Sequence, residues 1–517
     1  MGVLQVTGCG AAGRGSRLVA MPRPRQGVWM SRIVVVGGGL AGMISAREIA
    51  KHGHDVVLLE ASSRLGGKAG ADRREGRIVE HGYHVFPAWY PNVRALLREI
   101  GVTLIDFDRY HYLAPGKFPE VTSVRGPSSL GAVWHDTFRG ILPWYETLLF
   151  SYFTLDMISR PLSQKRLLDR VSTVGLMRQA WYMTERVAEL NQENMLKASA
   201  IPAYDMSAMT AKQIGAFWIR QANPFLSVLP GDLQSTFIEP LAATVRSAGV
   251  DVQFEREVVR LGTSAGRIRH VVLADGSTVS GDAFVLATPL EVTRRFVNGE
   301  LYRLDASLGD MHDLETRPMS ALQIKLKRTL PGIPREHVFL HGGQYGLSFI
   351  DVSQIWPAQP GTNLFFISSN FVSLMSVDDA TARDALLGEI LKYLPFDIAD
   401  IDSMDLNPNL STQLFINTIG AWPDRPVART KIGNLFVAGD YARNAIDLAC
   451  MEGAVSSALL AAAAVIDTFG GGQMAPPAIP PVLPRLLLLL MKLVLFPAVV
   501  IAYLIARTKE LLTRQRA

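Results

Sequence analysis

The most constraining feature of the sequence is a glycine pattern between a short strand and a helix. Residues Ile33 to Val36 are wholly apolar and β-branched, which is typical of a strand buried on both faces of a parallel sheet. Gly37, Gly39 and Gly42 follow as G-x-G-x-x-G, and a helix is predicted from about Leu40. The first glycine permits a tight turn, the second lets backbone approach a diphosphate, and the third lets helix pack closely on strand.

The next strand, Val56 to Leu59, ends at Glu60. A carboxylate at this position accepts hydrogen bonds from ribose hydroxyls and repels a 2′-phosphate, which disfavours NADP. The free N–H groups at the start of the helix, around Leu40 and Ala41, present a positive dipole end to phosphates. We therefore predict a dinucleotide site at the carboxyl ends of these two strands.

Two further motifs fit an extended dinucleotide that is contacted at both ends. The first places glycines beside cations shortly after the carboxylate: Arg64, Gly66, Gly67 and Lys68. The second is an apolar strand that ends in Gly439-Asp440 and is followed by a helix start near Met451. A second helix N-terminus is another site for negative charge. FAD is therefore favoured over NAD as the cofactor.

The strand signals of this nucleotide unit lie in separated parts of the chain, so the predicted fold class is α/β. We expect a discontinuous Rossmann-type FAD-binding domain with an inserted α+β substrate domain and a C-terminal apolar helix. The predicted bounds are 1–30 for a disordered extension (or a start codon placed too early), 31–110, 225–290 and 410–470 for the FAD-binding domain, 111–224 and 291–409 for the substrate domain, and 485–517 for a membrane-associating tail.

The tail contains an apolar run from Leu486 to Ala506, interrupted only by Lys492 and Pro497. Its length suits a bilayer span, but a helix lying on the membrane or packed on its own domain fits the same pattern. The segment from Ile141 to Ile158 is also apolar and aromatic, and is either core, a membrane-facing helix or part of a substrate tunnel. We expect a membrane-associated protein, on the cytoplasmic face.

Composition excludes several other classes of function. The net charge is only +5, and no basic run is interleaved with aromatic residues, so nucleic acid is not an expected partner. The two cysteines, Cys9 and Cys450, are far apart, which argues against a disulfide framework and a cysteine-based metal site. No metal is expected. No Ser-His-Asp set is evident, and no catalytic acid or base is assigned.

Four segments carry a family resemblance. They are IVVVGGGLAGMISAREIAKHGHDVVLLEASSRLGGKAG, VEHGYHVFPAWYPNVRALLREIG, LADGSTVSGDAFVLATP and NLFVAGDYARNAIDLACMEGAVSSALLAAA. With them the sequence resembles the plant and cyanobacterial phytoene desaturases and zeta-carotene desaturases of the flavin amine oxidase superfamily. The resemblance runs with gaps from about residue 32 to 468. It is loose between about 107 and 226, and the apolar tail extends past the family's usual end.

The resemblance implies roles for individual residues. It implies that Glu60 and Ala61 contact the adenosine ribose, that Lys68 and the loop before it contact the diphosphate, and that the backbone of Glu257 and Val258 contacts the adenine end. It also implies that His84, Val85 and Tyr90 contact the flavin, and that Asp440 and Met451 contact the ribityl chain and ring. Arg220 is implied to contact the substrate.

The resemblance also implies a reaction, namely dehydrogenation or isomerisation of a long apolar isoprenoid such as a carotenoid precursor, with hydride transfer to the flavin. A membrane quinone or dioxygen is the expected electron acceptor, because no second nucleotide pattern is visible. Two alternatives stay open at this stage. One is a flavin oxidoreductase acting on another lipid, such as a sterol-like compound or a squalene derivative, or on an amine. The other is a non-enzymatic flavin-binding membrane protein.

Overall fold

The structure is a computed structural model, in which the described residues are 30–74, 77–161, 164–219, 224–357 and 361–514. The predicted N-terminal extension up to residue 29 lies outside the described residues, and so does Arg220.

Strands and helices are numbered in chain order. The strands are β1 Arg32–Val36, β2 Asp55–Leu59, β3 Ala71–Arg74, β4 Arg77–Glu80, β5 Ile105–Phe107, β6 Tyr110–Leu113, β7 Thr122–Val124, β8 Leu226–Val228, β9 Asp251–Gln253, β10 Val258–Ser264, β11 Arg267–Leu273, β12 Thr278–Ser280, β13 Ala283–Leu286, β14 Glu315–Arg317, β15 Ser320–Leu326, β16 Val338–Leu340, β17 Leu347–Asp351, β18 Thr362–Ser368, β19 Ile401–Pro408, β20 Leu414–Ile416 and β21 Leu435–Val437. The α-helices are α1 Leu40–Lys51, α2 Pro91–Glu99, α3 Leu130–Arg139, α4 Trp144–Ser159, α5 Lys165–Asp169, α6 Thr173–Gln179, α7 Glu185–Ser199, α8 Ala208–Trp218, α9 Glu239–Ser247, α10 Leu290–Phe296, α11 Gly299–Leu304, α12 Asp379–Ile390, α13 Met451–Phe469 and α14 Arg485–Arg514.

A five-stranded parallel sheet is assembled from distant parts of the chain, in the order β21-β13-β1-β2-β9. Its central strand β1 is buried from Ile33 to Val36, as expected for a strand covered on both faces. Helices α1 and α13 pack against each other over this sheet, and the Ser45 hydroxyl donates to the Ala458 carbonyl across their contact at 3.2 Å. The α/β class and the discontinuous Rossmann-type unit are confirmed.

A second, seven-stranded sheet has the order β19-β15-β18-β17-β16-β6-β7. Its neighbours are antiparallel except for β16 and β6, which are parallel. Its core includes Leu322, Phe349 and Phe366, all buried. Smaller pairs are β3-β4, β5-β8 and β14-β20, and β10, β11 and β12 form a three-stranded sheet. The predicted domain bounds stay a prediction.

Two of the described helices are long and apolar enough to cross a membrane. Helix α13 is a core helix, because more than half of its apolar window is buried against α1 and the parallel sheet. Helix α14 is different, since only 17% of its window is buried. The segment predicted from Ile141 contains α4, whose inner side chains Leu149 and Phe153 belong to the core.

Candidate functional site

The first glycine loop, residues 37–42, joins β1 to α1 at the carboxyl edge of the parallel sheet. Gly37 has φ +102°, and a Cβ there would lie 2.8 Å from the Ala287 carbonyl oxygen. A Cβ on Gly42 would lie 1.8 Å from the Gly37 carbonyl oxygen. Both positions therefore require glycine for the fold itself. Gly39 does not, because the nearest atom to its Cβ would be 3.9 Å away.

Gly39 precedes the start of α1, and no side chain caps this N-terminus among the described residues. Uncapped N–H groups at a helix start, here at Leu40 and Ala41, attract anions. The open space at Gly39 and the uncapped helix start therefore leave room for a phosphate close to the backbone. That is the fit a diphosphate requires.

Glu60 joins the first glycine loop to the segment after β2. Its Oε2 accepts a hydrogen bond from the Gly38 N–H at 2.6 Å, and its Oε1 accepts from the Ser62 N–H and hydroxyl at 2.9 and 2.8 Å. Ala61 beside it is exposed. The carboxylate is thus fixed next to the loop, with lone pairs still available for a ribose hydroxyl.

The second glycine loop, residues 64–70, packs against the first. Gly66 has φ +117° and donates its N–H to the Gly38 carbonyl at 2.9 Å. Gly67 has φ +53° and approaches the Gly39 backbone. The two cations of this loop have protein partners: the Arg64 Nε donates to Asp72 at 2.7 Å, and the Lys68 ammonium donates to the Gln413 carbonyl at 2.5 Å.

The segment after β9 lies beside Glu60. The Glu60 N–H donates to the Gln253 carbonyl at 2.9 Å, and the Glu60 carbonyl accepts from the Arg256 N–H at 2.9 Å. Glu257 and buried Val258 follow directly, and the Glu257 carbonyl accepts from the Ala274 N–H at 2.8 Å. The structure therefore brings Glu257 and Val258 to the same end of the site as Glu60.

A second helix N-terminus, that of α13, lies beyond β21. Gly439, with φ +152°, follows this strand and donates its N–H to the Ser457 hydroxyl at 2.9 Å. Half-buried Asp440 comes next. Helix α13 begins at half-buried Met451, and the Cys450 Sγ accepts from the Gly453 N–H at 3.4 Å. Cys450 thus acts as a helix cap, and burial raises the pKa of its thiol to about 12.

The segment from Glu80 to Tyr90 connects the site to the seven-stranded sheet. His84 is half-buried, and burial lowers its pKa to about 4. Val85 forms an isolated bridge with Val228 on β8. Tyr90 is buried beside Cys450. Burial raises the pKa of Tyr90 well above its usual range, and the neighbouring Cys450 raises it further.

A small cavity lies between this segment and strand β17. Its lining includes Glu80, Tyr83, His84, Ile350 and Trp356. Burial raises the pKa of Glu80 to about 8, and its carboxylate accepts from the Leu233 N–H at 2.6 Å. The Tyr83 hydroxyl contacts the His337 ring and lies 2.8 Å from the Ser348 hydroxyl. The lining thus combines apolar side chains with the titratable groups of Glu80, Tyr83 and His84.

Arg425 is a residue of this region that the sequence did not indicate. Its fully buried guanidinium donates to the carbonyls of Tyr441 and Ala442, both at 2.9 Å, and pairs with Asp447 at 3.4 Å. Burial lowers its pKa. Arg425 therefore fixes the connection between β21 and α13, which carries Gly439 and Asp440. No short motif surrounds it, because its partners are mainly backbone carbonyls.

The fold and the N-termini of α1 and α13 define a dinucleotide-binding protein of the Rossmann type. The chain belongs to the family of flavin containing amine oxidoreductases, whose sequence profile matches residues 40–466. It is an enzyme with a flavin cofactor.

The curated relatives include several carotenoid enzymes. The chain is 26% identical over 469 residues to 15-cis-phytoene desaturase from an Oncidium hybrid cultivar, covering 84% of this chain and 78% of that protein. It is 24% identical to 15-cis-phytoene desaturase of Synechococcus elongatus, covering 84% and 96%. It is 22% identical to a probable zeta-carotene desaturase of the same organism, covering 84% and 98%.

Solved structures agree on the fold. Cyclohexylamine oxidase from Brevibacterium oxydans superimposes with a TM-score of 0.65 at 16% identity, covering 85% of this chain and 99% of that chain. A putative protoporphyrinogen oxidase from Exiguobacterium gives 0.60 at 18% identity, covering 84% and 98%. At this identity the likeness concerns the fold alone.

Proposed function

We propose that the protein is an FAD-dependent desaturase (or isomerase) of a long-chain isoprenoid, a carotenoid precursor. The observation that carries the proposal is a site with two helix N-termini within a chain that matches carotene desaturases over 84% of its length. FAD is the cofactor because Glu60 supplies a ribose acceptor at one end, and the α13 N-terminus supplies a second anion site at the other.

Each residue of the site has a proposed part. The backbone N–H groups of Leu40 and Ala41 and the two glycine loops hold the diphosphate, with charge from Arg64 and Lys68. Glu60 and Ala61 hold the adenosine ribose, and the backbone of Glu257 and Val258 borders the adenine. Asp440 and Met451 lie along the ribityl chain, and His84, Val85 and Tyr90 border the flavin ring. The glycines of the two loops are Gly37, Gly39, Gly42, Gly66 and Gly67, and Gly439 precedes Asp440.

When bound, FAD would supply the acceptor for a hydride from an allylic C–H bond, and the proton lost from the neighbouring carbon would pass to water or to the electron acceptor. The chain itself positions the substrate and keeps water out. Buried aromatic residues around Tyr90 keep water out. The centre of the Trp89 ring lies 4.5 Å from that of Tyr90 and 5.0 Å from that of Phe217. Neutral His84 adds no charge to an apolar cavity, since burial holds its pKa at about 4. An apolar polyene fits such a lining better than a charged amine does.

A lipid-dissolved substrate places the enzyme at a membrane, and the exposed apolar side chains of α14 support this location. A membrane quinone, or dioxygen, is the proposed electron acceptor. The cytoplasmic face remains a prediction.

Lipid analysis of producing cells tests the proposed substrate class. The full chain is produced in a host that accumulates an uncoloured isoprenoid polyene, with Glu60→Ala as the matched control. We expect a product two hydrogens lighter per new double bond, or an isomer of equal mass with altered retention, only with the unaltered chain. Unchanged polyenes together with a modified sterol or amine would instead assign another substrate.

A further inference from the structure

Helix α14 is held lengthwise on the body of the protein. At one end the Arg485 Nε donates to the Ser159 carbonyl at 3.2 Å. Further along, Lys492 pairs with Asp156 of α4. At the other end the Lys509 ammonium lies 4.8 Å from the centre of the Tyr145 ring. Helices α4 and α14 therefore run antiparallel and in contact along nearly the whole of α4.

Helix α4 is in turn tied to the rest of the fold. The Lys212 ammonium of α8 donates to the Ile158 carbonyl at 2.9 Å, and the Thr184 hydroxyl donates to Glu146 at 3.2 Å. Arg186, 3.8 Å from Glu146, has 66% of its side chain exposed. If α14 crossed a bilayer, α4 and this charged surface would enter the hydrocarbon with it, at high cost.

The outer side of α14 is apolar from Leu486 to Leu504, and beyond it Arg507, Thr508 and Lys509 are exposed. Its inner side chains, such as Leu488, Val499 and Ala502, are buried. Its outer side chains are well exposed, including Leu486, Leu490, Leu493, Val494, Ile501 and Leu504. The helix has 30 residues, and its apolar part from Leu486 to Ala506 is about 30 Å long. An apolar face of this length marks an interaction surface.

Helix α3, which also packs on α4, has a second, independent apolar face. Its apolar side chains point outward, with Leu130, Trp134 and Phe138 exposed by 91%, 69% and 54%. Its only acid, Asp136, points inward and accepts from the Arg125 and Gly126 N–H groups. An outward apolar face at helical spacing is typical of a helix that lies in a membrane interface.

The charges around this surface indicate which kind of partner binds to it. Arg485, Arg507 and Lys509 flank the apolar face. No Asp or Glu occurs from Arg485 to Lys509, and the next residue, Glu510, pairs with Arg507 at 2.8 Å. These cations match anionic lipid headgroups. A second copy packed antiparallel on α14 would instead bring the cations of one end against those of the other.

We infer that α14 and α3 together form a monotopic docking surface for a membrane, an inference that rests on the lipid substrate of the proposed function. Helix α14 lies in the plane of one leaflet, and the chain does not cross the bilayer there. Lys492 does not snorkel to the headgroups, because it points to Asp156 on the protein side.

Sided labelling tests the in-plane orientation. In a Cys9→Ser, Cys450→Ser background with normal flavin content, single cysteines are placed before and near the end of α14 by Ile479→Cys and Thr513→Cys. Sealed membrane vesicles from producing cells are treated with an impermeant maleimide, with and without detergent. We expect both cysteines to behave alike. One cysteine that reacts at once and another that reacts only after detergent would show a span and overturn the inference.

Vesicle binding tests the surface itself, independently of substrate. Purified flavin-loaded protein is sedimented with phosphatidylcholine vesicles that contain phosphatidylglycerol. Trp134→Ser with Phe138→Ser should weaken binding by about tenfold or more. Tyr302→Ser, a matched exposed aromatic on α11, should leave it unchanged. Equal binding by all three proteins, or a salt-stable dimer that ignores vesicles, would refute the surface even if desaturation holds.

Discussion

Gly39→Ala separates the requirement of the fold from that of the cofactor. The fold leaves room for the added methyl, whose nearest protein neighbour would be 3.9 Å away. Gly39 has φ −74° and ψ −177°, which alanine adopts without strain. Loss of the glycine N-cap and the lower entropy of the unfolded chain act in opposite directions. The stability of the apoprotein should therefore change by less than about 1 kcal/mol.

Cofactor binding should respond much more strongly. The added methyl occupies the position at which we place the diphosphate, and a displaced phosphate loses at least one charge-assisted hydrogen bond. Such a bond contributes about 1.5–3 kcal/mol, so the Kd for FAD should rise by roughly ten- to a hundredfold. Fluorescence titration of FAD into apoprotein measures the Kd, and thermal unfolding of the same sample measures stability.

Two other glycines provide the controls for this experiment. Gly388→Ala lies in α12 with open space around the new methyl, so it should leave FAD binding unchanged. Gly42→Ala places a methyl 1.8 Å from the Gly37 carbonyl oxygen and should disrupt the fold. If Gly39→Ala binds FAD as tightly as the unaltered chain, the diphosphate does not lie against this loop.

Two further changes concern carboxylates. Glu60→Ala removes the acceptor of the Gly38 and Ser62 N–H groups and should weaken FAD binding at least about tenfold. An unchanged Kd in the same titration would contradict this prediction. Glu80→Gln tests a pH effect: burial raises the folded pKa of Glu80 to about 8, so its stabilising contribution is present below about pH 4.5 and is lost as pH rises towards 8, by up to about 1.4 kcal/mol per pH unit. Between pH 5 and 8 the unfolding temperature of Glu80→Gln should fall less than that of the unaltered chain. An equal fall in both proteins would show that Glu80 does not titrate in this range.

The nucleotide unit was predictable because its signals are local. The apolar run at Ile33, the glycine spacing and Glu60 lie within one βαβ unit, and the observed β1 and β2 each begin one residue before the predicted bounds. Strands β10 and β11 pair antiparallel as far as Ser264 and Arg267, next to the turn that joins them. Pairing across the sheet there overrides the loop-like composition of these ends.

The rest depends on contacts between distant residues. The seven-stranded sheet pairs β6 with β16, more than two hundred residues apart in sequence, and no local pattern encodes such a pairing. Arg425 acquires its role only when the turn after β21 brings carbonyls around it. The outward apolar face of α3 likewise depends on packing, which turns Asp136 inward and leaves Trp134 and Phe138 exposed.

An anaerobic half-reaction tests the central claim most directly. One portion of the purified protein is treated with acid, and the released flavin is identified as FAD. A second, untreated portion is mixed without oxygen with a carotenoid precursor in detergent micelles, and the flavin absorbance is followed. We expect the polyene to reduce the flavin, a quinone to restore the oxidised spectrum, and a more unsaturated polyene to be recovered. A flavin that stays oxidised with every polyene, but is reduced by an amine or a sterol-like lipid, would contradict that claim.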